Sequence, residues 1–145
     1  MVEVRLVKHE ELNDMFYQRW LVLRAPLAMP LGTEKDLYED SAFHLVALNG
    51  TQIIGSARLR LLSSELGSIA YVAVLPEFRN QGIGSQLVRK SLFIAQQKNL
   101  SAVRLMSRPN AINFYQRLGF VSEGKVFEYL GLSHVFMYYK FLVGA

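Results

Sequence analysis

The segment that most restricts what this chain can fold into runs from Tyr71 to Ser85, YVAVLPEFRNQGIGS. A strand-like apolar run meets Pro76, crosses a short polar loop and ends in Arg79-x-x-Gly82-x-Gly84. A helical pattern begins at once, with Gly84, Leu87, Val88, Ser91, Leu92 and Ala95 on one face. Strand, glycine loop and helix start, in that order, form an anion seat. The first amides of a helix lack intrahelical partners and carry partial positive charge. Glycines bring the backbone close to a phosphate with no Cβ in the way. A phosphorylated ligand is expected on this loop.

The remaining periodicities supply a sheet. Val2 to Val7 alternates as a strand, and Glu10 to Arg24 reads as a helix carrying Leu12, Met15, Phe16, Trp20 and Leu23. Pro26 and Pro30 end that pattern. Thr33 is then expected to cap a short acidic helix with Glu34, Asp36, Glu39 and Asp40. His44 to Leu48 and Gln52 to Leu62 flank Asn49-Gly50, a hairpin signal. In the second of these strands Ser56, Arg58 and Arg60 alternate with Ala57, Leu59 and Leu61. Ser68 to Leu75 is apolar on both faces, as a central strand should be.

Ala102 to Met106 is a further strand. Pro109 opens a helix with Ala111, Ile112, Tyr115 and Leu118 on one face and Gly119 as its stop. Phe120 to Glu128 and Leu132 to Val143 close the chain as strands. The expected order is β-α-α-β-β-β-α-β-α-β-β. That describes an α/β chain in the α+β sense: a mixed sheet of about seven strands with about four flanking helices. Residues 1–145 are read as one domain.

Composition removes some chemistries. The chain has no cysteine, which excludes disulfides, thiolate metal sites and a cysteine nucleophile. Sixteen basic and twelve acidic residues give a net charge of +4, with an isoelectric point near 9.5. The basic residues are scattered, with Arg89-Lys90 the one adjacent pair. This pattern suits an anionic small ligand as well as nucleic acid, and no basic helix or aromatic-basic platform is evident. No nucleic-acid partner, no metal and no membrane span are expected. The first residues, MVEVRLVKHE, lack the apolar stretch of a secretion signal, so a cytoplasmic location is expected.

Asn113-Phe114-Tyr115-Gln116-Arg117-Leu118-Gly119-Phe120 adds a second element to the glycine loop. Together they resemble the GNAT superfamily of acyl-CoA-dependent N-acyltransferases. Its Arg/Gln-x-x-Gly-x-Gly/Ala signature is matched by Arg79, Gly82 and Gly84, and its tyrosine before a Leu-Gly-Phe strand entry by Tyr115. The stretch Arg19 to Pro26, with Gly131-Leu132-Ser133-His134, resembles the ElaA-like branch, whose late motif is commonly Gly-Ile-Pro-His; here Ser133 replaces the proline. A nucleotide-kinase loop is not matched, because Gly84 is followed by Ser85-Gln86.

The resemblance implies transfer of an acetyl group from acetyl-CoA to a primary amine, on a small molecule or a protein, by direct attack. It implies that the pyrophosphate lies on Arg79, Asn80, Gln81, Gly82, Ile83, Gly84 and Ser85. It also implies that the pantetheine arm pairs with the backbone of Val72, Ala73 and Val74 where the fourth and fifth strands part. Pro76 would mark the end of that pairing. Tyr115 would protonate the departing thiolate, or else it fills the core beside Phe114. Many members carry an asparagine seven residues before this tyrosine; here Arg108 stands there, with Asn110 close by as a substitute. His134 would accept the amine proton or order its loop, His44 is structural, and His9 is exposed. Edge strands near the C-terminus leave room for a homodimer.

The acceptor's charge stays open at this stage. The acidic run from Glu34 to Asp40 would attract a cation, or it forms a solvated helix face. Arg24 would bind a carboxylate, or it braces a helix. A catalytically silent module that binds acyl-CoA would need only the loop and strand sites.

Overall fold

A computed structural model describes residues 1–142 of the chain. Its strands are β1 (Val2–Leu6), β2 (Phe43–Asn49), β3 (Gln52–Leu61), β4 (Leu66–Val74), β5 (Ala102–Ser107), β6 (Val121–Tyr129) and β7 (Leu132–Lys140). Its α-helices are α1 (Leu12–Leu23), α2 (Ile83–Gln97) and α3 (Ile112–Arg117). The strands form one sheet in the order β1-β2-β3-β4-β5-β7-β6. The β4–β5 pair is parallel and the other neighbours are antiparallel. The expected end of the last strand, Val143, lies outside the described residues.

Strand alternation divides the core between the two faces of the sheet. Leu45 and Ala47 of β2 join Leu87, Val88 and Ala95 of α2 on one face. Val46 and Leu48 meet Met15 of α1 on the other. The buried face of α2 is the one its periodicity marked, with Ile83 and Ile94 added. Phe114, Tyr115 and Leu118 pack on the α2 side of the core. The hairpin turn is Gly50-Thr51, between the paired residues Asn49 and Gln52, with Gly50 at φ +65°.

The acidic helix expected after Thr33 does not form, so the described residues hold three α-helices and not four. Side chains there capture the amides that a helix would use. The Thr33 hydroxyl donates back to the Pro30 carbonyl at 2.7 Å. The carboxylates of Glu34, Asp36 and Glu39 accept the amides of Gly32, Tyr38 and Asp36 at 2.8, 2.8 and 3.0 Å. Short polar side chains compete with helix in this way. No helix among the described residues is long and apolar enough to cross a membrane.

Gly119 stops α3 as expected, and at φ +102° it holds a conformation that L-residues rarely adopt. A Cβ there would also stand 2.8 Å from Cε2 of Tyr139. Gly119→Ala is therefore expected to destabilise the fold by about 1–3 kcal/mol, read as a lower urea midpoint at constant slope.

Candidate active site

The site begins where two strands part. Pairing of β4 with β5 runs through Leu66–Ala102, Gly67–Val103 and Ser68–Arg104, and stops there. Beyond that point β4 stays with β3 as far as Val74–Gly55, while β5 stays with β7 as far as Ser107–Val135. Each strand follows its outer neighbour, and a cleft of about 650 Å³ opens between them. Pro76 does not cause this, since the strands separate well before it; it starts the one-turn helix Pro76–Phe78 after β4. On the β3 side, Ser56 faces Ala73 and Arg58 faces Ala70. Two steps on β3 thus match three on β4, which is a bulge, and Tyr71 within it has φ +57°.

Of the residues expected in the site, Val72, Asn110, Tyr115 and His134 line the cleft. Arg108 lines it too, so both candidates for the position ahead of the tyrosine face the same space. The loop Arg79 to Ser85 lies outside the cleft lining, at the head of α2. Gly84 ties it to the opening: a Cβ there would meet Cζ of Phe114 at 3.3 Å and Cγ2 of Val74 at 3.9 Å. Gly84 thus serves the close packing of α2 on α3 and β4.

Gly82 has φ +79°, with no atom within 4 Å of its would-be Cβ. Helix α2 has no side-chain cap, and the amide of Gln86 bonds the Gly82 carbonyl at 3.1 Å. The amides of Ile83, Gly84 and Ser85 therefore precede the first intrahelical bond and are free for an anion. The Ile83 side chain is buried in the core, so only its backbone can contribute. Asn80, at φ +62°, and Gln81 are exposed on the same loop. These features fit a pyrophosphate.

Two of the expected strand contacts are already engaged. The Ala73 carbonyl accepts from Nε2 of Gln18 at 3.1 Å, and Gln18 also accepts from the buried Ser56 hydroxyl at 2.6 Å. The Val74 carbonyl accepts from Nε of Arg79 at 3.2 Å. Leu75 donates to the Ile54 carbonyl on β3, so strand alternation turns the Val74 backbone toward the opened side.

Tyr115 sits edge-on to Phe114 and Phe120, with ring centroids at 4.9 and 5.7 Å. Burial pushes its phenol up to about 12, so the hydroxyl keeps its proton at neutral pH. His134 stacks on Phe127 and places Nδ1 2.9 Å from the Leu132 carbonyl. A carbonyl only accepts, so Nδ1 carries the hydrogen. This bond orders the turn before β7, and Nε2 has no hydrogen-bond partner among the described residues.

The acidic segment is not a helix: Glu34 is buried and Glu39 half-buried, while Asp36 and Asp40 are exposed. Asp36 pairs with Arg58 at 2.7 Å, and Glu39 pairs with Arg19 at 3.0 Å and with Arg58 at 3.2 Å. Arg19 is 0% exposed. His44 closes the cluster: its Nε2 donates to the Glu39 carbonyl at 2.8 Å, and burial holds its pKa below the usual value. Arg24 is buried and donates to the Thr33 and Leu23 carbonyls at 3.1 and 3.4 Å, so it braces the end of α1 while still lining the cleft. The ring of Tyr71 lies between Arg19 and Arg58, at 4.2 and 4.7 Å from their guanidinium carbons.

Residues 9–120 match the profile of the acetyltransferase (GNAT) family. A Bacillus subtilis (strain 168) protein named provisionally as an acetyltransferase is 24% identical over 136 residues, which are 92% of each chain. Escherichia coli ElaA superposes with a TM-score of 0.82 at 22% identity, over 97% of this chain and 100% of its own. A GNAT-family acetyltransferase from Elizabethkingia anophelis, solved with acetyl-CoA bound, gives 0.73 at 17% identity, over 97% and 98%. These structural likenesses are likenesses of fold.

The charged wall makes a prediction that needs no ligand. Glu39→Gln leaves Arg19 with a neutral partner in a dry setting. It should cost about 3–5 kcal/mol, measured by denaturant unfolding.

Proposed function

The chain belongs to the GNAT acetyltransferase family, and from that premise we propose that it moves an acetyl group from acetyl-CoA to a primary amine by direct attack in a ternary complex. The observation that carries the reading is the fork: the unpaired edge of β4 and the protonated Tyr115 border one cleft, and the free amides of α2 lie just outside it, where Gly84 packs on the end of β4 and on Phe114.

The thioester supplies an acyl carbon open to attack by an amine. The loop from Arg79 to Ser85 binds the pyrophosphate through the α2 amides. The opened edge of β4 at Val72 and Val74 orients the pantetheine arm as a short extra strand. For the Val74 carbonyl to take part, Arg79 must swing off it, which also delivers the guanidinium toward phosphate. Ala73 keeps its bond to Gln18 and holds the strand in place.

Nε2 of His134 accepts the proton of the attacking amine, directly or through water. A backbone amide of β4 near Val74 donates to the developing oxyanion. The C–N bond forms and the C–S bond breaks, and the Tyr115 hydroxyl gives its proton to the departing sulfur. No cysteine is available to carry the acyl group between steps.

Two variants test the two halves. Gly82→Glu places a carboxylate at the phosphate seat, in open space, at a conformational cost of about 1–2 kcal/mol. It should abolish calorimetric binding of acetyl-CoA while thermal unfolding stays cooperative; full affinity would refute the seat.

Tyr115→Phe should bind CoA normally and lose about a hundredfold or more in turnover. Unchanged turnover would remove Tyr115 from the chemistry. The same variant has a pH signature. The phenol sits near 12 when folded, against about 10 when unfolded. Its contribution to stability is thus complete below about pH 10 and is lost as pH rises toward 12, a loss the phenylalanine variant lacks.

A further inference from the structure

Five arginines line the cleft: Arg24, Arg58, Arg60, Arg104 and Arg108. One carboxylate lines it, Asp36, and Arg58 already holds it at 2.7 Å. Among the described residues the other four arginines have no acidic partner.

The sheet places two of the four with precision. Arg60 of β3 is in register with Ser68 of β4, and Ser68 is in register with Arg104 of β5. Residues in register on neighbouring strands project from the same face. Arg60, Ser68 and Arg104 therefore form a row across three strands at the root of the fork, where the last β4–β5 pair closes. Their sequence neighbours Leu59, Ile69, Val103 and Leu105 are buried in the core under α2. The row thus faces away from α2, on the side toward Arg24 and the Asp36 loop.

Both guanidinium groups are held without being consumed. Arg60 lies over the Tyr38 ring at 3.4 Å and Arg104 over the Phe136 ring at 4.9 Å. Stacking spends the flat face of a guanidinium and leaves its N–H edges for an oxyanion. The row is also remote from the phosphate loop. Six steps along β4 lead from Ser68 to Val74, roughly 20 Å at strand rise, and the head of α2 packs on Val74. Phosphates seated on that helix do not reach Arg60 and Arg104.

Resting on the acetyl-transfer reading above, we propose that the acceptor is a small amine bearing its own oxyanion, a carboxylate or a phosphate, which Arg60, Ser68 and Arg104 seat at the root of the fork. A cleft of about 650 Å³ suits a small molecule. The surrounding positive charge disfavours polyamines. It also lowers the pKa of the acceptor amine, since like charge favours the neutral form, and the neutral form is the one that attacks.

The test is thioester consumption by the full chain with acetyl-CoA and a panel of β-alanine, aspartate, phosphoethanolamine, ethanolamine, putrescine and spermidine. Turnover with β-alanine, aspartate or phosphoethanolamine, well above that with ethanolamine or the polyamines, is expected. β-Alanine and phosphoethanolamine separate carboxylate from phosphate. Arg60→Ala and Arg104→Ala should each raise KM for the anionic acceptor about tenfold or more, with acetyl-CoA affinity and melting temperature unchanged. Arg104→Lys should recover part of the loss.

Preference for putrescine, spermidine or ethanolamine overturns the inference, as does absence of turnover with all three anionic amines. A rise confined to the KM for acetyl-CoA in the arginine variants overturns it too. Failure of the wild type to bind acetyl-CoA is a separate result, and it sinks the transfer reading itself.

Discussion

Strand β4 loses a neighbour partway along its length, and the rest of the site follows from that. Its parallel partner β5 leaves after the Ser68–Arg104 pair, yet β4 continues to Val74. Backbone groups on the vacated side must bond to water, a side chain or a ligand, because an orphaned amide or carbonyl is costly. The fold satisfies one of them internally, with Arg79 on the Val74 carbonyl, while Gln18 holds the β3-facing Ala73 carbonyl beside Ser56. The edge is otherwise a strand template in the middle of a sheet, which protein edges normally avoid exposing. A ligand arm with alternating amides is the natural partner for it.

The bulge at Tyr71 sits on this same strand, and it is held by charges. A non-glycine residue in the left-handed region costs about 1–2 kcal/mol, and here the Tyr71 ring is clasped by two guanidinium groups. Those groups are themselves buried, which would be prohibitive without Glu39 and Asp36. The pairing is incomplete: Nε of Arg19, Nε of Arg58 and Oε1 of Glu39 have no hydrogen-bond partner among the described residues. A cluster with unmet donors and acceptors is a poor device for bulk stability. Its clear consequence is positional. It pins the irregular segment after α1 to the sheet and so builds one wall of the cleft.

The strands, α1, α2 and α3 were legible because their periodicity is local and strong. Tyr115, His134, Asn110 and Val72 were named through the resemblance to the GNAT family, and the structure brings all four to one cleft. The acidic segment misled because carboxylates near a threonine look the same whether they start a helix or intercept its amides. Pro76 pointed to the wrong place for the fork, since separation depends on which outer neighbour each strand follows. The bulge left no trace in an apolar run. The alternation of Ser56, Arg58 and Arg60 was visible. The alignment of Arg60 with Ser68 and Arg104 is a matter of register across three strands, which no local pattern carries.

That register also changes what the overall charge means. A net +4 spread along a chain suggests little about a partner. In the fold, the acidic residues best placed to balance the cleft, Asp36 and Glu39, are drawn into pairs with Arg19 and Arg58. Arg60, Arg104, Arg108 and Arg24 are left lining one open cleft with no acidic partner among the described residues. Low-dielectric walls focus such a field more than an open surface does. The basic character of the chain thus becomes local: under the proposals above, the head of α2 takes a pyrophosphate and the opposite face of the sheet a second oxyanion. An amine arriving with a carboxylate or phosphate meets that demand while keeping its nitrogen free for the fork.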